Sequence, residues 1–492
     1  MDAVVGPTVF NAVMRGINFI HSFEPLVRPS VVLVPPVVKE TCAGLAAQAG
    51  QDIDTFNYTL GLFLAYPAGL VMLMLPYGHV RNLFSFVFGV FLLQFTIGVQ
   101  WIHQLVSSMI AYTMICVLPH RASKTWVPCF AVLYCVAGHL HRQFINYLGW
   151  DLDFTGPQMV LTIKLCSLAY NLYDGECLRT GKESRAAKKC SKFALDRVPN
   201  LLEFLGYVFC FSNILAGPAY EFKIYKDAIE GTKIRGNKNV PSSFLPTLKP
   251  FIVSIVCMGL FVFGNGTFPI MDPTDPQHND PPWVMHGSPW WKRYAYQWIA
   301  LLFIRQKYYF AWKNAEGANN IWYAGFEGLN EDGEVIGWDN ACNVDIISFE
   351  TAPNLKTLSA AWNKKTANWL TRYIYMRTGG SLVATYSMSA FWHGFYPGYY
   401  FFFLSMPMLT ACERIGRIKL SPYFHTGGKW SPWGIVTIVT TSFLIEYFVQ
   451  PFQVLAWSWS VDIWKSHYFF GHILAAVFYA ICTVIPKKKK VD

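Results

Sequence analysis

Apolar runs separated by short polar or basic stretches recur along the whole chain. They fall at 56–76, 82–99, 102–118, 125–141, 155–173, 249–264, 294–312, 381–393, 396–411, 432–455 and 468–485. A helix needs about 20 apolar residues to cross the hydrocarbon core. The longer runs therefore predict transmembrane helices, and the shorter ones predict tilted, kinked or hairpin-paired helices. The pattern is that of an all-α polytopic membrane protein with eleven crossings. A further run, 201–218, contains Asn213 and ends Ala216-Gly217-Pro218. Ahead of them all, Val9, Phe10, Val13, Met14, Ile17 and Ile20 repeat at helical spacing within 8–23, with Arg15 and Asn18 between them. That pattern suits an interfacial amphipathic helix better than a cleaved signal segment.

Charge in the loops orients the runs. Residues 174–200 carry Arg179, Lys182, Arg185, Lys188, Lys189, Lys192 and Arg197; residues 221–249 carry Lys223, Lys226, Lys233, Arg235, Lys238 and Lys249. Both loops read as cytosolic by the excess of positive charge on that side. One crossing at 201–218 would put them on opposite sides, so this run is expected to dip in and return, or to lie buried in protein. The rest then alternates: 265–292, with Asp272, Asp275 and Asp280, is lumenal; 313–380 is cytosolic; and the C-terminus is cytosolic. The expected organisation is an N-terminal interfacial or lumenal segment (1–55), a transmembrane domain (56–486) and a cytosolic tail (487–492).

Composition agrees. Of 492 residues, 53% are hydrophobic and only 14% charged, where soluble domains carry about 25%. The net charge of +10 sits largely between the apolar runs and lacks the basic-aromatic repetition of a nucleic-acid binder. The twelve cysteines are scattered without a C-x-x-C pair and read as small buried hydrophobes. In Gly138-His139-Leu140-His141-Arg142, no Cys or carboxylate nearby completes a ligand set, so no metal is expected. The sequons Asn57-Tyr58-Thr59 and Asn265-Gly266-Thr267 abut apolar runs, where glycan access is poor. The terminal Lys489-Lys490-Val491-Asp492 resembles a dilysine retrieval signal of endoplasmic reticulum membrane proteins, and it also suits an interfacial anchor for the last helix.

Two stretches carry candidate chemistry. Ser389-Ala390-Phe391-Trp392-His393-Gly394-Phe395-Tyr396-Pro397-Gly398-Tyr399-Tyr400 places an imidazole between two apolar runs and then breaks the helix. Ionisable groups at membrane depth are costly unless they face a cavity or a partner, and broken backbone there must be buried or line water. His393 is thus either a base in an internal chamber or a packed, hydrogen-bonded interhelical side chain. Upstream, 354–380 holds Lys356, Lys364, Lys365, Arg372 and Arg377 and no acid. Such a stretch attracts phosphate and equally suits anionic headgroups. Glu446, inside 432–455, is expected either to pair with a buried polar group or to touch a substrate headgroup.

The block Trp362-Asn363-x-x-Thr366-x-x-Trp369-Leu370, followed thirty residues past Asn363 by Phe391-Trp392-His393-Gly394, resembles the membrane-bound O-acyltransferase (MBOAT) family. Tyr396-Pro397-Gly398-Tyr399-Tyr400 looks like its lysophospholipid acyltransferase branch. Three upstream blocks agree: Asp153 to Val160, Tyr170-Asn171-x-x-Asp174-Gly175, and Leu215-Ala216-Gly217-Pro218-Ala219-Tyr220-Glu221-Phe222. The resemblance implies an integral membrane enzyme that moves an acyl chain from acyl-CoA to a lysophospholipid hydroxyl, with acyl-CoA as substrate and no cofactor. It implies that His393 and Asn363 are the catalytic pair. A hydroxyl attacks a thioester poorly unless a base takes its proton, and neutral His suits that task near pH 7. The Asn363 amide can donate to the developing oxyanion. The anionic CoA moiety is expected near Lys364, Lys365 and Arg372, with Trp362, Thr366, Trp392, Tyr396 and Tyr400 as further substrate contacts. Two alternatives stay open: the same fold with a sterol, diacylglycerol or protein acceptor, and a transporter or scramblase using His393 as a proton relay. Against the second, no internal repeat is visible.

Overall fold

In the computed structural model the described residues are 11, 14–18, 35–48, 50–149, 151–182, 184–237, 239–270, 288–420, 423 and 428–486. The acids Asp272, Asp275 and Asp280, the terminal lysines and most of the 8–23 pattern lie outside them. The chain is overwhelmingly helical, and every predicted apolar run is occupied by helix except for 201–218, which is helical only in its first half. Among the described residues, four stretches are long and apolar enough on their own to cross a membrane: Ile53–Met74, His79–Val117, Phe244–Thr267 and Pro432–Val454. A fifth is reached if Trp457–Ser466 and Phe470–Val484, bent by 66° at the break between them, count as one.

Contacts divide the chain into two compact units. The first comprises 1–254, 311–342 and 371–377. Its long helices begin at Ile53–Met74, whose N-cap Asp52 accepts from the backbone N–H of Asp54 and Thr55. His120–Ile145 lies along Thr155–Thr180. The latter is buried almost all round, so the chain tolerates Lys164, Asn171 and Asp174 there only because each finds a partner. Thr155–Thr180 ends on Gly181, at φ 68°, the left-handed conformation that a glycine adopts without strain.

The run 201–218 is only partly helical. Leu201–Val208 is closed by a capping box between Asn200 and Glu203. Its eight residues rise about 12 Å, well short of the roughly 30 Å hydrocarbon core. Residues 209–215 then continue as buried turns. The helix packs closely on His79–Ile97: a Cβ at Gly89 would come within 1.7 Å of the Phe209 carbonyl oxygen. Within the same unit, the stretch read as cytosolic contains a small hairpin, Gly328–Leu329 against Val335–Gly337.

The second unit comprises 255–310, 343–370 and 378–492. Pro397–Lys419 is its central helix and packs on Leu382–His393, Pro432–Val454 and Phe470–Val484. Short helices Ile346–Glu350, Leu355–Ala361 and Lys364–Trp369 precede it. Glu446 finds its partner here: Arg305 bonds it directly and reaches Glu350 through two further contacts of 3.0 and 3.1 Å. Tyr309 donates to the same Glu350 at 2.6 Å. One guanidinium thus pairs with two carboxylates, which offsets much of the cost of burying them, although Glu446 Oε2 has no hydrogen-bond partner among the described residues.

Candidate active site

His393 is the last residue of Leu382–His393, a helix that starts on Ser381, whose hydroxyl caps Ala384 N–H. Gly394 follows at φ 118°, a conformation side chains resist. Pro397 then opens the next helix at its first turn, where its missing N–H costs nothing. Gly398 permits the closest approach in this corner. Its N–H donates to Leu455 O at 2.9 Å, and a Cβ there would meet Pro451 O at 1.9 Å.

The imidazole is half-buried and ringed by aromatic side chains: Trp392, Phe403, Phe452 and Tyr399, with ring centroids 4.7 to 5.7 Å away. Its Nδ1 lies 2.7 Å from the carbonyl oxygen of Ser389. A carbonyl only accepts, so Nδ1 carries the proton in the neutral ring and Nε2 is the nitrogen that can take one. The arrangement selects the tautomer a general base needs.

Asn363 lies in the same unit. It stands before Lys364–Trp369 with φ 44° and ψ 50°, a left-handed conformation that Asn adopts more readily than most residues. Its side-chain Oδ1 accepts from Asn343 Nδ2 at 3.1 Å. Trp362 before it is packed by Phe349, Tyr308 and Tyr309, with centroids 4.8 to 5.8 Å away. Trp369, on the helix that Asn363 leads, packs on Trp392 at 6.3 Å. The two sequence blocks therefore meet through this tryptophan pair next to His393.

The family model described as MBOAT, membrane-bound O-acyltransferase family, matches residues 125–446. The chain belongs to the MBOAT family. It is an O-acyltransferase and a multi-pass membrane protein. It is similar to the "Lysophospholipid acyltransferase" of Schizosaccharomyces pombe, 29% identical over 90% of this chain and 89% of that protein. It is also similar to "Membrane-bound glycerophospholipid O-acyltransferase 2" of Homo sapiens, 31% identical over 83% of this chain and 79% of that protein. To "Membrane-bound glycerophospholipid O-acyltransferase 1" of Homo sapiens it is 30% identical over 83% of each.

The remaining candidate residues of the MBOAT chain fall in both units. Thr366, Trp392 and Tyr396 are buried in the second unit, with Lys364 and Lys365 half-buried there. Tyr400 packs on Phe391 and Phe395, and its buried hydroxyl has no hydrogen-bond partner among the described residues. Arg372 belongs to the first unit, where it donates to Glu221 at 2.7 Å. The Tyr373 hydroxyl shares its one proton between Asn171 Oδ1 at 2.7 Å and Glu221 at 3.0 Å, and Asn171 donates to Glu221 at 2.8 Å. Arg377 grips Asp174 with two contacts of 2.6 and 3.2 Å and lies over the Tyr170 ring at 4.3 Å. The 170–175 and 215–222 blocks thus converge on the segment that follows the Asn363 block. Sequence reasoning assigned Asn171, Asp174 and Glu221 no role; Asn171 lies inside an apolar run, where a polar side chain requires a partner, while Asp174 and Glu221 open the two basic loops that follow the runs. Nearby, buried Lys164 donates to Asn213 at 2.6 Å and to Tyr207 O at 2.8 Å, which accounts for the polar interruption in 201–218.

Proposed function

We propose that this enzyme transfers an acyl chain from acyl-CoA to the hydroxyl of a lysophospholipid. His393 Nε2 takes the hydroxyl proton as the oxygen attacks the thioester carbonyl, and the Asn363 amide donates to the oxyanion that forms. Collapse breaks the C–S bond, and the imidazolium returns the proton to the leaving CoA sulfur, giving phospholipid and free CoA. The observation that carries this reading is the hydrogen bond from His393 Nδ1 to Ser389 O, which leaves Nε2 as the base. The names of the relatives support the acceptor class. The half-buried Lys364 and Lys365, beside Asn363 in sequence, are the lysines we assign to the CoA phosphates.

The loop charges support eleven crossings, with 201–218 entering and leaving on the cytosolic side, in a catalytic domain of 56–486. The dilysine tail supports residence in the endoplasmic reticulum with a cytosolic C-terminus. The test is purified protein with labelled acyl-CoA and a panel of lysophospholipids, a sterol and a diacylglycerol. Lysophospholipids are expected to be acylated. His393→Ala should lower kcat about 10²–10⁴-fold, and Asn363→Ala about 10²–10³-fold, without loss of the folded protein. Wild-type rates in His393→Ala remove the base; acylation of the sterol or diacylglycerol alone removes the acceptor assignment.

A further inference from the structure

Asn343 stands twenty positions before Asn363, outside every motif described above, and is 2% exposed. Its contacts are ordered by one donor whose identity is beyond question. The backbone N–H of Lys365 donates to Asn343 Oδ1 at 2.9 Å. A backbone N–H cannot accept, so this contact fixes which end of the Asn343 amide is oxygen. The other end, Nδ2, then faces Asn363 at 3.1 Å. An NH2 group only donates, so what it meets on Asn363 must be Oδ1. The backbone of the same residue adds a second anchor, with Lys364 N–H donating to Asn343 O at 2.8 Å. Asp345 N–H donates to Ala361 O at 3.0 Å and ties the two segments together on the other side.

We infer that Asn343 is a positioning residue that fixes the orientation of the Asn363 carboxamide, turning its NH2 end toward the substrate. Asn363 Nδ2 has no hydrogen-bond partner among the described residues, so the donor end remains available to a ligand oxygen. A free carboxamide could turn either end to the site with little cost. Presented oxygen-first, it would repel the oxyanion it is meant to stabilise. Asn343 removes that alternative through a relay of two amides that starts at the Lys365 backbone.

The inference rests on Asn363 being the oxyanion donor, and the experiment separates the two. Asn343→Asp keeps the size and still accepts from Lys365 N–H. Its second oxygen, however, can only accept, so it should draw Asn363 Nδ2 toward itself and turn Oδ1 outward. Asn343→Leu removes both contacts and leaves the Asn363 amide unguided. Wild type, both variants and Asn363→Ala are compared in acyl transfer, with melting midpoints of the purified proteins. We expect kcat to fall about 10²-fold in Asn343→Asp and less in Asn343→Leu, with KM for lysophospholipid little changed in both. A residue that served only the fold would give the opposite order, because Asp preserves the local bonding that Leu destroys. Asn343→Leu more damaged in kcat than Asn343→Asp overturns the inference while leaving Asn363 in place. Full activity in Asn363→Ala overturns the reading beneath it. Should Asn343→Asp fail to fold, Asn343→Leu decides alone: unchanged kcat refutes the relay, and lowered kcat at unchanged KM supports it.

Discussion

Arg377→Met is the sharpest probe of what holds the segment between the Asn363 and His393 blocks. The Arg377 guanidinium meets Asp174 through contacts of 2.6 and 3.2 Å, and the Asp174 side chain is only 1% exposed. Methionine keeps much of the aliphatic stem and removes the guanidinium, and with it the charge, the contact over the Tyr170 ring and the bond to Arg372 O. The Asp174 carboxylate would then be buried without its ion-pair partner, at a cost of about 3–5 kcal/mol. Each 1.4 kcal/mol is tenfold, so the folded population relative to unfolded should fall by roughly two to three and a half orders of magnitude. Asp174→Asn combined with Arg377→Met leaves no orphaned charge, and such paired replacements of buried ions are frequently neutral. The double variant should therefore be more stable than the sum of the singles predicts, by about 2 kcal/mol or more. Unfolding in mixed micelles, followed by tryptophan fluorescence and by residual acyl transfer, measures all corners of the cycle. Additive single effects, or an Arg377→Met protein as stable as wild type, would falsify the view that this pair carries the segment.

Gly398→Ala places a Cβ where Pro451 O now sits at 1.9 Å, so Pro397–Lys419 must move away from Pro432–Val454 beside His393. The expected cost is about 1–3 kcal/mol together with a fall in kcat, read from melting and steady-state kinetics; an unchanged protein would show that the corner has slack. Lys233, in the turns after Phe222–Glu230, donates to Phe326 O at 3.1 Å, and burial holds its pKa below the ordinary lysine value of 10.5. Below that folded-state pKa, lysine is charged in both states. Between it and 10.5 the unfolded chain binds more protons than the folded one, so stability should rise with pH across that window. Lys233→Met should remove this rise from a plot of unfolding free energy against pH, and an identical slope in the variant would reassign it.

What the sequence made legible follows from the range of each interaction. Apolar runs are local, so the long helices could be read directly. Trp457–Ser466 escaped because Ser458, Ser460, Asp462 and Lys465 break its apolar character. The Asn363 and His393 blocks were legible as continuous motifs, including the helix break after His393. Their supports were not. Arg372 stands in 354–380, which contains no acid, and the acid it pairs with, Glu221, is 151 positions away. Asp174, the acid that Arg377 finds, is 203 positions away. Asn343 sits in Cys342-Asn343-Val344, a context with no signature; only folding brings it to Asn363.

One long-range pairing did leave a trace that elementary electrostatics could have followed. Among the apolar runs, Glu203 and Glu446 are the only acids, and the cations are Lys164, Lys249, Arg305 and Lys307. A carboxylate at that depth demands a cation or loses its charge. Glu203 lies three residues into its run and reaches Arg197 just outside, at 2.7 Å. Lys249 begins its run and can reach the membrane surface. That leaves Glu446 to choose among Lys164, Arg305 and Lys307. A planar guanidinium binds more than one carboxylate with less desolvation penalty than an ammonium does. Arg305 is the residue the fold uses, holding Glu446 and Glu350 together, while Lys164 is satisfied by Asn213 and backbone carbonyls. The rarity of charge in such a chain is therefore information: each embedded ion restricts its possible partners to a few residues, and the chemistry of the side chain selects among them.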